Sequence, residues 1–183
     1  EAEPIAAVSA ERAVRNSRER GYFQTLFLGH PIPEIKATMK RGDLWVAGPH
    51  VCPEYLSGRE DNIANKKRDS GGTLWHRMGD RIDTDALGQW WYAGRSSEEK
   101  GLFETEQAIY SFLGSSEAFV HQDENGNYSL LGCCVRKRRR ELQKRFPMID
   151  FVLEVRRIHR DRRHRARIDR ATTLRKEAPW LVG

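Results

Sequence analysis

The chain has 183 residues, enough for one large domain or two small ones, and its 38% hydrophobic content includes five Trp and seven Phe to build a core. No run approaches the roughly 20 apolar residues of a membrane span, and the acidic opening Glu1-Ala2-Glu3-Pro4 is followed by no apolar segment of the secretory kind. The net charge of +6 and pI near 9.4 favour an anionic partner, either nucleic acid or a nucleotide phosphate; more than half of the Lys and Arg residues lie between Arg136 and Lys176.

Taken in chain order, Glu11 to Gly21 is strongly polar and reads as a short helix or a mobile loop. "FQTLFLGHPIPEIKATM" holds strand runs interrupted by Pro31 and Pro33, which cannot donate ladder hydrogen bonds. "GDLWVAGPHV" is a further strand, and "CPEYLSGREDNIANKKRDSGG" is a polar surface segment closed by Gly71-Gly72. "TLWHRMGD", "RID" and "QWWYAGR" complete a β-rich half. Beyond Arg95 the pattern changes: Ala108, Ile109, Phe112 and Leu113 have the spacing of one helix face, with Gly114 as C-cap. "EAFVHQ" and "YSLLGCCV" flank the turn Asn125-Gly126 as a hairpin. A basic helix "RKRRRELQKRF", the strand "DFVLEV" and a basic tail follow. The boundary between β-only and α+β sequence falls at Ser96-Ser97.

Three cysteines, Cys52, Cys133 and Cys134, form neither metal-ligand spacing nor a disulfide framework, so reduced thiols in a cytoplasmic protein are expected. The six histidines show no ligand spacing; His76 is expected as an exposed strand residue, with a pocket-lining role as the alternative.

The stretch "MGDRIDTDALGQWWYAGR", Met78 to Arg95, poses the sharpest question. It reads as a hairpin turning at Asp85-Ala86-Leu87-Gly88, yet a hairpin needs no charged residue directly after each of its end glycines. Asp80 offers two acceptor oxygens suited to the vicinal hydroxyls of a ribose, or it caps its own turn after Gly79. Arg95 carries a donor fork suited to phosphate or ribose oxygens, or it is a solvated strand-end charge.

The succession "GDLWVAGPHVCPEYL", "WHRMGD", "D-x-x-G-x-x-W-Y-A-G-R" and "RDRRHRARIDR" resembles the later part of the acyl-adenylate-forming enzymes, which include acyl-CoA synthetases, peptide-synthetase adenylation domains and luciferases. "GLFETEQ" and "DRRHRARIDR" are most similar to the branch holding the β-lactone synthetases of olefin biosynthesis. The resemblance implies an α+β fold: a β-rich distorted-barrel subdomain over 1–95, the end of the large domain, and a small mobile α+β lid domain over 96–183. It implies ATP as co-substrate, with Asp80 on the ribose and Arg95 near the nucleotide. It also implies Mg²⁺ held in part by Glu1, which stands where the family's Thr-Glu motif places its glutamate. Glu106 matches a helix-start glutamate of the family, and equally suits a first-turn acid.

Two positions depart from the family pattern. Ser97 stands at the hinge where the family has Asp or Lys. Arg167 stands where the family has the lysine that reaches the substrate carboxylate and α-phosphate, with Ala166 replacing the preceding glycine; arginine keeps the charge but is broader and planar. The family's phosphate-binding loop is not in these residues. The expectation is therefore a C-terminal portion of an ATP-dependent acid ligase, inactive alone, acting on a fatty or other organic acid with CoA, a carrier thiol or an internal hydroxyl as acceptor. Two rival readings are a basic nucleic-acid-binding module, built on "RKRRRELQKR" and "RRIHRDRRHRARIDR", and a degenerate non-catalytic homologue. Against the first, the aromatics do not interleave with those basic runs.

Overall fold

A computed structural model describes residues 5–23, 26–56, 58–97, 101–161 and 167–181. The chain divides into two compact units, Glu1–Phe103 and Glu104–Gly183. Its class is α+β, with three small sheets.

In the first unit, strand β1 (Ala6–Ala7) precedes helix α1 (Ala10–Glu19), whose N-cap Ser9 accepts from the Arg12 N–H at 3.3 Å. The polar stretch is thus a helix. Its buried Ser17 accepts from the N–H groups of Leu26 and Phe27 at 2.9 and 3.1 Å, which ties α1 to the start of β2 (Phe27–Pro31). Next come β3 (Lys36–Lys40), β4 (Asp43–Ala47), α2 (Arg59–Asn65), β5 (Lys66–Arg68), β6 (Leu74–Arg77), β7 (Asp80–Thr84) and β8 (Trp90–Arg95). The segment read as polar surface contains a short helix and an edge strand.

These strands form two four-stranded sheets, β1-β2-β8-β7 and β3-β4-β6-β5. The distorted barrel expected from the sequence does not close: no ladder among the described residues joins the two sheets, and β7 and β5 end them as edges. The reason lies at Met78-Gly79. Strand β6 pairs in one sheet and β7 in the other, and Gly79, at φ +68°, takes the left-handed backbone that lets the chain switch between them. Alternation along each strand then buries Leu44 and Val46 of β4, Ile82 of β7 and Trp90 of β8 in one core with Ile35 and Val51.

In the second unit, α3 (whose span, Leu102–Leu113, begins at the end of the first unit) ends at Gly114, φ +70°, as its C-cap. Strands β9 (Ala118–Gln122) and β10 (Tyr128–Gly132) form the expected hairpin. A 3₁₀ turn (Arg136–Arg138) and α4 (Arg139–Arg145) then lead to β11 (Phe151–Glu154), parallel to β10. The basic tail contains α5 (Arg170–Glu177), capped by Asp169 accepting from the Thr172 N–H at 2.9 Å. Phe119 and Leu131 pack against Leu174 and Ala178, while Val120, Leu130 and Val152, buried on the opposite face by register, complete a sheet covered on both sides.

Strand β9 is an edge of this sheet, and its exposed backbone is managed by side chains. The Glu106 Oε1 accepts from the Val120 N–H at 2.7 Å, and Arg170 Nη1 donates to the Val120 carbonyl at 2.9 Å. Arg170 Nη2 donates to Glu106 Oε2 at 2.8 Å, closing the triangle. An acid from α3 and a base from α5 stand in for the missing strand.

Candidate functional site

Asp80 and Arg95 are ladder partners. Between the pairs Asp80↔Arg95 and Ile82↔Tyr92, β7 has one residue, Arg81, and β8 has two, Ala93 and Gly94. Regular alternation from Trp90 and Tyr92 would turn Arg95 onto the opposite face, beside Trp91. The extra residue returns it to the Asp80 side, which is the re-aiming a β-bulge performs. Gly94 permits the bulge with φ +95°, and a Cβ there would lie 3.1 to 3.3 Å from Phe103. Phe103 packs edge-on against Tyr92, with ring centroids 5.5 Å apart.

The result is an ion pair, Arg95 Nη1 to Asp80 Oδ1 at 2.7 Å, with side chains 27% and 22% exposed. The same Nη1 donates to the Met78 carbonyl at 3.1 Å, and the Ser96 N–H donates to the Gly79 carbonyl at 3.1 Å. The guanidinium thus bridges the turn before β7 and the carboxylate that opens it. Both charges remain partly open to solvent, so a polar ligand meets an acceptor and a donor fork side by side.

At its far end the hairpin is closed by Asp85, which accepts from the N–H groups of Gln89 and Leu87 at 2.9 and 3.0 Å and from the Trp91 indole at 3.1 Å. Arg20 lies 3.8 Å over the same indole. Trp91 therefore serves the structure on the sheet's other face, while Trp90 enters the core.

The other sequence-derived candidates are distributed differently. Ser97 is exposed in the turn directly after β8. Arg167 is exposed in the second unit, where its N–H donates to Asp161 Oδ1 at 3.4 Å and its carbonyl accepts from the Asp161 N–H at 2.9 Å. Glu1 lies outside the described residues, as does Ala166. Among the described residues no group of three or more His, Cys, Asp or Glu is arranged to hold a metal ion. Glu106 is a buried ion-pair partner rather than a solvated first-turn acid. His76 is also buried, at 3% exposure, with Nδ1 3.2 Å from the Asn65 carbonyl, because alternation along β6 turns it inward between Trp75 and Arg77. Burial pushes the Cys133 thiol up, which disfavours its nucleophilic form.

Sequence reasoning did not find two contributors: the Met78 carbonyl and Arg170. The first is a backbone atom and leaves no signature. The second is 64 residues from Glu106, and one more arginine in a run of arginines carries no sign of a specific partner.

No protein-family model matches the chain, and no curated sequence matches it. Its fold is similar to that of several solved structures. One is IdnL7, at 21% identity over 90% of this chain and 34% of that one, with a TM-score of 0.66. A benzoate CoA ligase from Burkholderia xenovorans LB400 matches at 21% identity over 81% of this chain and 35% of its own, TM-score 0.60. The O-succinylbenzoate coenzyme A synthetase of Bacillus subtilis in complex with AMP matches at 18% identity over 87% and 36%, TM-score 0.63; another structure of that synthetase holds ATP and magnesium. The chain spans about a third of the length of these proteins. No described helix is long and apolar enough to cross a membrane.

Proposed function

We propose that this chain is the C-terminal part of a cytoplasmic, ATP-dependent ligase that activates a carboxylic acid as its acyl-adenylate. The observation that carries the reading is the Asp80–Arg95 pair, held by a bulge within a fold shared with AMP- and ATP-binding synthetases. Asp80 accepts from the ribose hydroxyls of ATP, and Arg95 holds that carboxylate in position beside the nucleotide. Residues 1–95 are then the end of the large domain and 96–183 a lid that swings about Ser97.

In the reaction, an oxygen of the substrate carboxylate attacks the α-phosphorus of ATP, the bond to the bridging oxygen breaks, and pyrophosphate leaves with that electron pair. Arg167, at the position of the family lysine, stabilises the charge that develops on the α-phosphate and carboxylate. Glu1, which lies outside the described residues, would help hold the Mg²⁺ that accompanies ATP, an ion that would offset the phosphate charge; no cluster among the described residues completes such a site. The acyl group then passes to CoA, a carrier thiol or an internal hydroxyl, releasing AMP. The substrate is a fatty or other organic acid, and the olefin β-lactone synthetase branch is the proposed affiliation.

The test is ATP–pyrophosphate exchange by the longer protein that contains this chain, across a panel of fatty and aromatic acids. Acid-dependent exchange is the expected result. Absence of exchange with every acid, together with salt-steep RNA binding indifferent to ATP, would replace this reading with the nucleic-acid module; absence of both would leave the degenerate homologue.

A further inference from the structure

The outward face of sheet β3-β4-β6-β5 carries chemistry that Asp80 and Arg95 do not use. Residues directly opposite in an antiparallel ladder share a face. The registers Lys40↔Asp43, Trp45↔Arg77 and Lys67↔Trp75 therefore gather these six side chains on one side, while Leu44 and Val46 point into the core. They line a cleft of about 550 Å³, within the range of roughly 300–1,000 Å³ typical of small-molecule sites.

Three properties of this cleft belong together. The Lys40 ammonium lies 5.3 Å from the Trp75 ring centre and 6.0 Å from that of Trp45, and the Lys67 ammonium lies 5.7 Å from Trp45. Its charge is unbalanced: Arg77 is paired with Asp43 at 2.8 Å, and Asp69 is occupied by the Trp75 indole N–H and the Gly71 and Thr73 N–H groups. Lys40, Arg41, Lys67 and Arg68 have no carboxylate partner among the described residues. Finally, the Asp43 side chain is 9% exposed, with Oδ2 on Arg77, while its buried Oδ1 meets no donor among the described residues.

Lysine stems covering two indoles would account for the first property alone. They leave the surplus of cations and the unsatisfied carboxylate oxygen without a purpose, and such an oxygen is costly to bury. Clustered cations suit phosphate, an indole face suits a planar base, and a buried acceptor suits a hydroxyl or amino donor. We propose that this cleft binds a phosphorylated nucleoside, with phosphate on Lys67, Arg68 and Lys40, the base against Trp75, and a hydroxyl or amino group donating to Asp43. The site lies in the sheet that does not contain Asp80 and Arg95, and it does not rest on the ligase reading.

The test uses the 183-residue chain with ¹⁵N-labelled tryptophan, whose five indole signals are assigned by Trp→Phe replacement. ADP is expected to shift the Trp45 and Trp75 signals. The double variant Lys67→Glu/Arg68→Glu, at two exposed positions, is expected to weaken ADP about tenfold or more, as loss of two charged phosphate contacts does. Asp80→Ala is expected to leave both signals responsive. Pentaadenylate binding tenfold more tightly than ADP would assign the nucleotide to a single strand; equal or weaker binding would assign it to the free molecule. The proposal is overturned if the two signals do not respond to ADP, or if the charge reversals leave the affinity unchanged. It is also overturned if pyrophosphate or polyglutamate produces the same response, or if Asp80→Ala abolishes it.

Discussion

Arg95 stands opposite Asp80 because β8 carries one residue more than β7 before the ladder closes on the pair. The bulge residue, Gly94, also leaves the space that Phe103 fills. Two glycines thus do different work: Gly79 turns the chain between sheets, and Gly94 sets the face on which the arginine emerges.

Replacing Gly94 with alanine tests this assignment. A Cβ would press on Phe103 at 3.1 to 3.3 Å in a backbone with φ +95°, and the strained backbone alone costs about 1–3 kcal/mol. Urea unfolding of the variant is expected to show that loss. Gly79→Ala meets only the flexible end of Arg95, at 3.6 Å, and is expected to cost less.

Asp80→Ala and Arg95→Ala separate binding from stability. The pair is partly exposed, and such ion pairs contribute at most about 1 kcal/mol to folding. Each variant is expected to unfold near the parent's midpoint while weakening ATP in the longer protein by roughly tenfold or more, the worth of one charged hydrogen bond. Calorimetric titration with ATP measures this, and parental affinity in both variants would remove the pair from the site.

Glu106→Ala is expected to behave in the opposite way. It removes the acceptor of the buried Val120 N–H and one partner of Arg170, whose side chain is 33% exposed, and leaving a buried donor unsatisfied costs about 1–3 kcal/mol. Glu106→Gln retains an acceptor for Val120 and is expected to lose less. Hydrogen exchange at the Val120 amide reports the effect locally.

Acid should loosen the turns before the core. Asp69 is held below the ordinary carboxylate value of 3.8 by the Trp75 indole and the backbone of Thr73 and Gly71, and Asp85 by the backbone of Gln89 with the Trp91 indole. Asp123 is held down by Asn127, and Asp169 by Thr172. A depressed folded-state value means that the stabilisation is complete above 3.8 and is lost as the pH falls below it. Thermal melts between pH 6 and pH 3 are expected to show this decline, and Asp85→Ala is expected to flatten part of it.

On the proposed ligase reading, Arg167→Lys is expected to raise the adenylation rate of the longer protein, since a compact ammonium would replace a planar fork beside the α-phosphate. Exchange kinetics decide the matter: an unchanged or lower rate would identify arginine as the adapted residue.

Most elements were legible in the sequence because local rules specify them. Asn125-Gly126 marks its hairpin, Gly114 stops its helix, and alternation marks "DLWVA" and "FVLE" as strands. Helix α5 was missed because its arginines hide a short apolar pattern, and the barrel failed because strand pairing is a property of the whole sheet. His76 was misjudged for the same reason: one residue's register decides whether a strand histidine faces water or core.

The sequence by itself determined where chain direction changes, which residues carry charge beside each glycine, and the order of motifs that resembles the adenylate-forming ligases. These depend on backbone sterics and on neighbours a few positions away. Only the tertiary structure decided that Asp80 and Arg95 touch, that Glu106 and Arg170 close the edge of β9, and that Trp45 and Trp75 share a face with Lys40 and Lys67. Each of those contacts depends on a ladder register or a bulge, where a shift of one residue turns a side chain to the other side of the sheet.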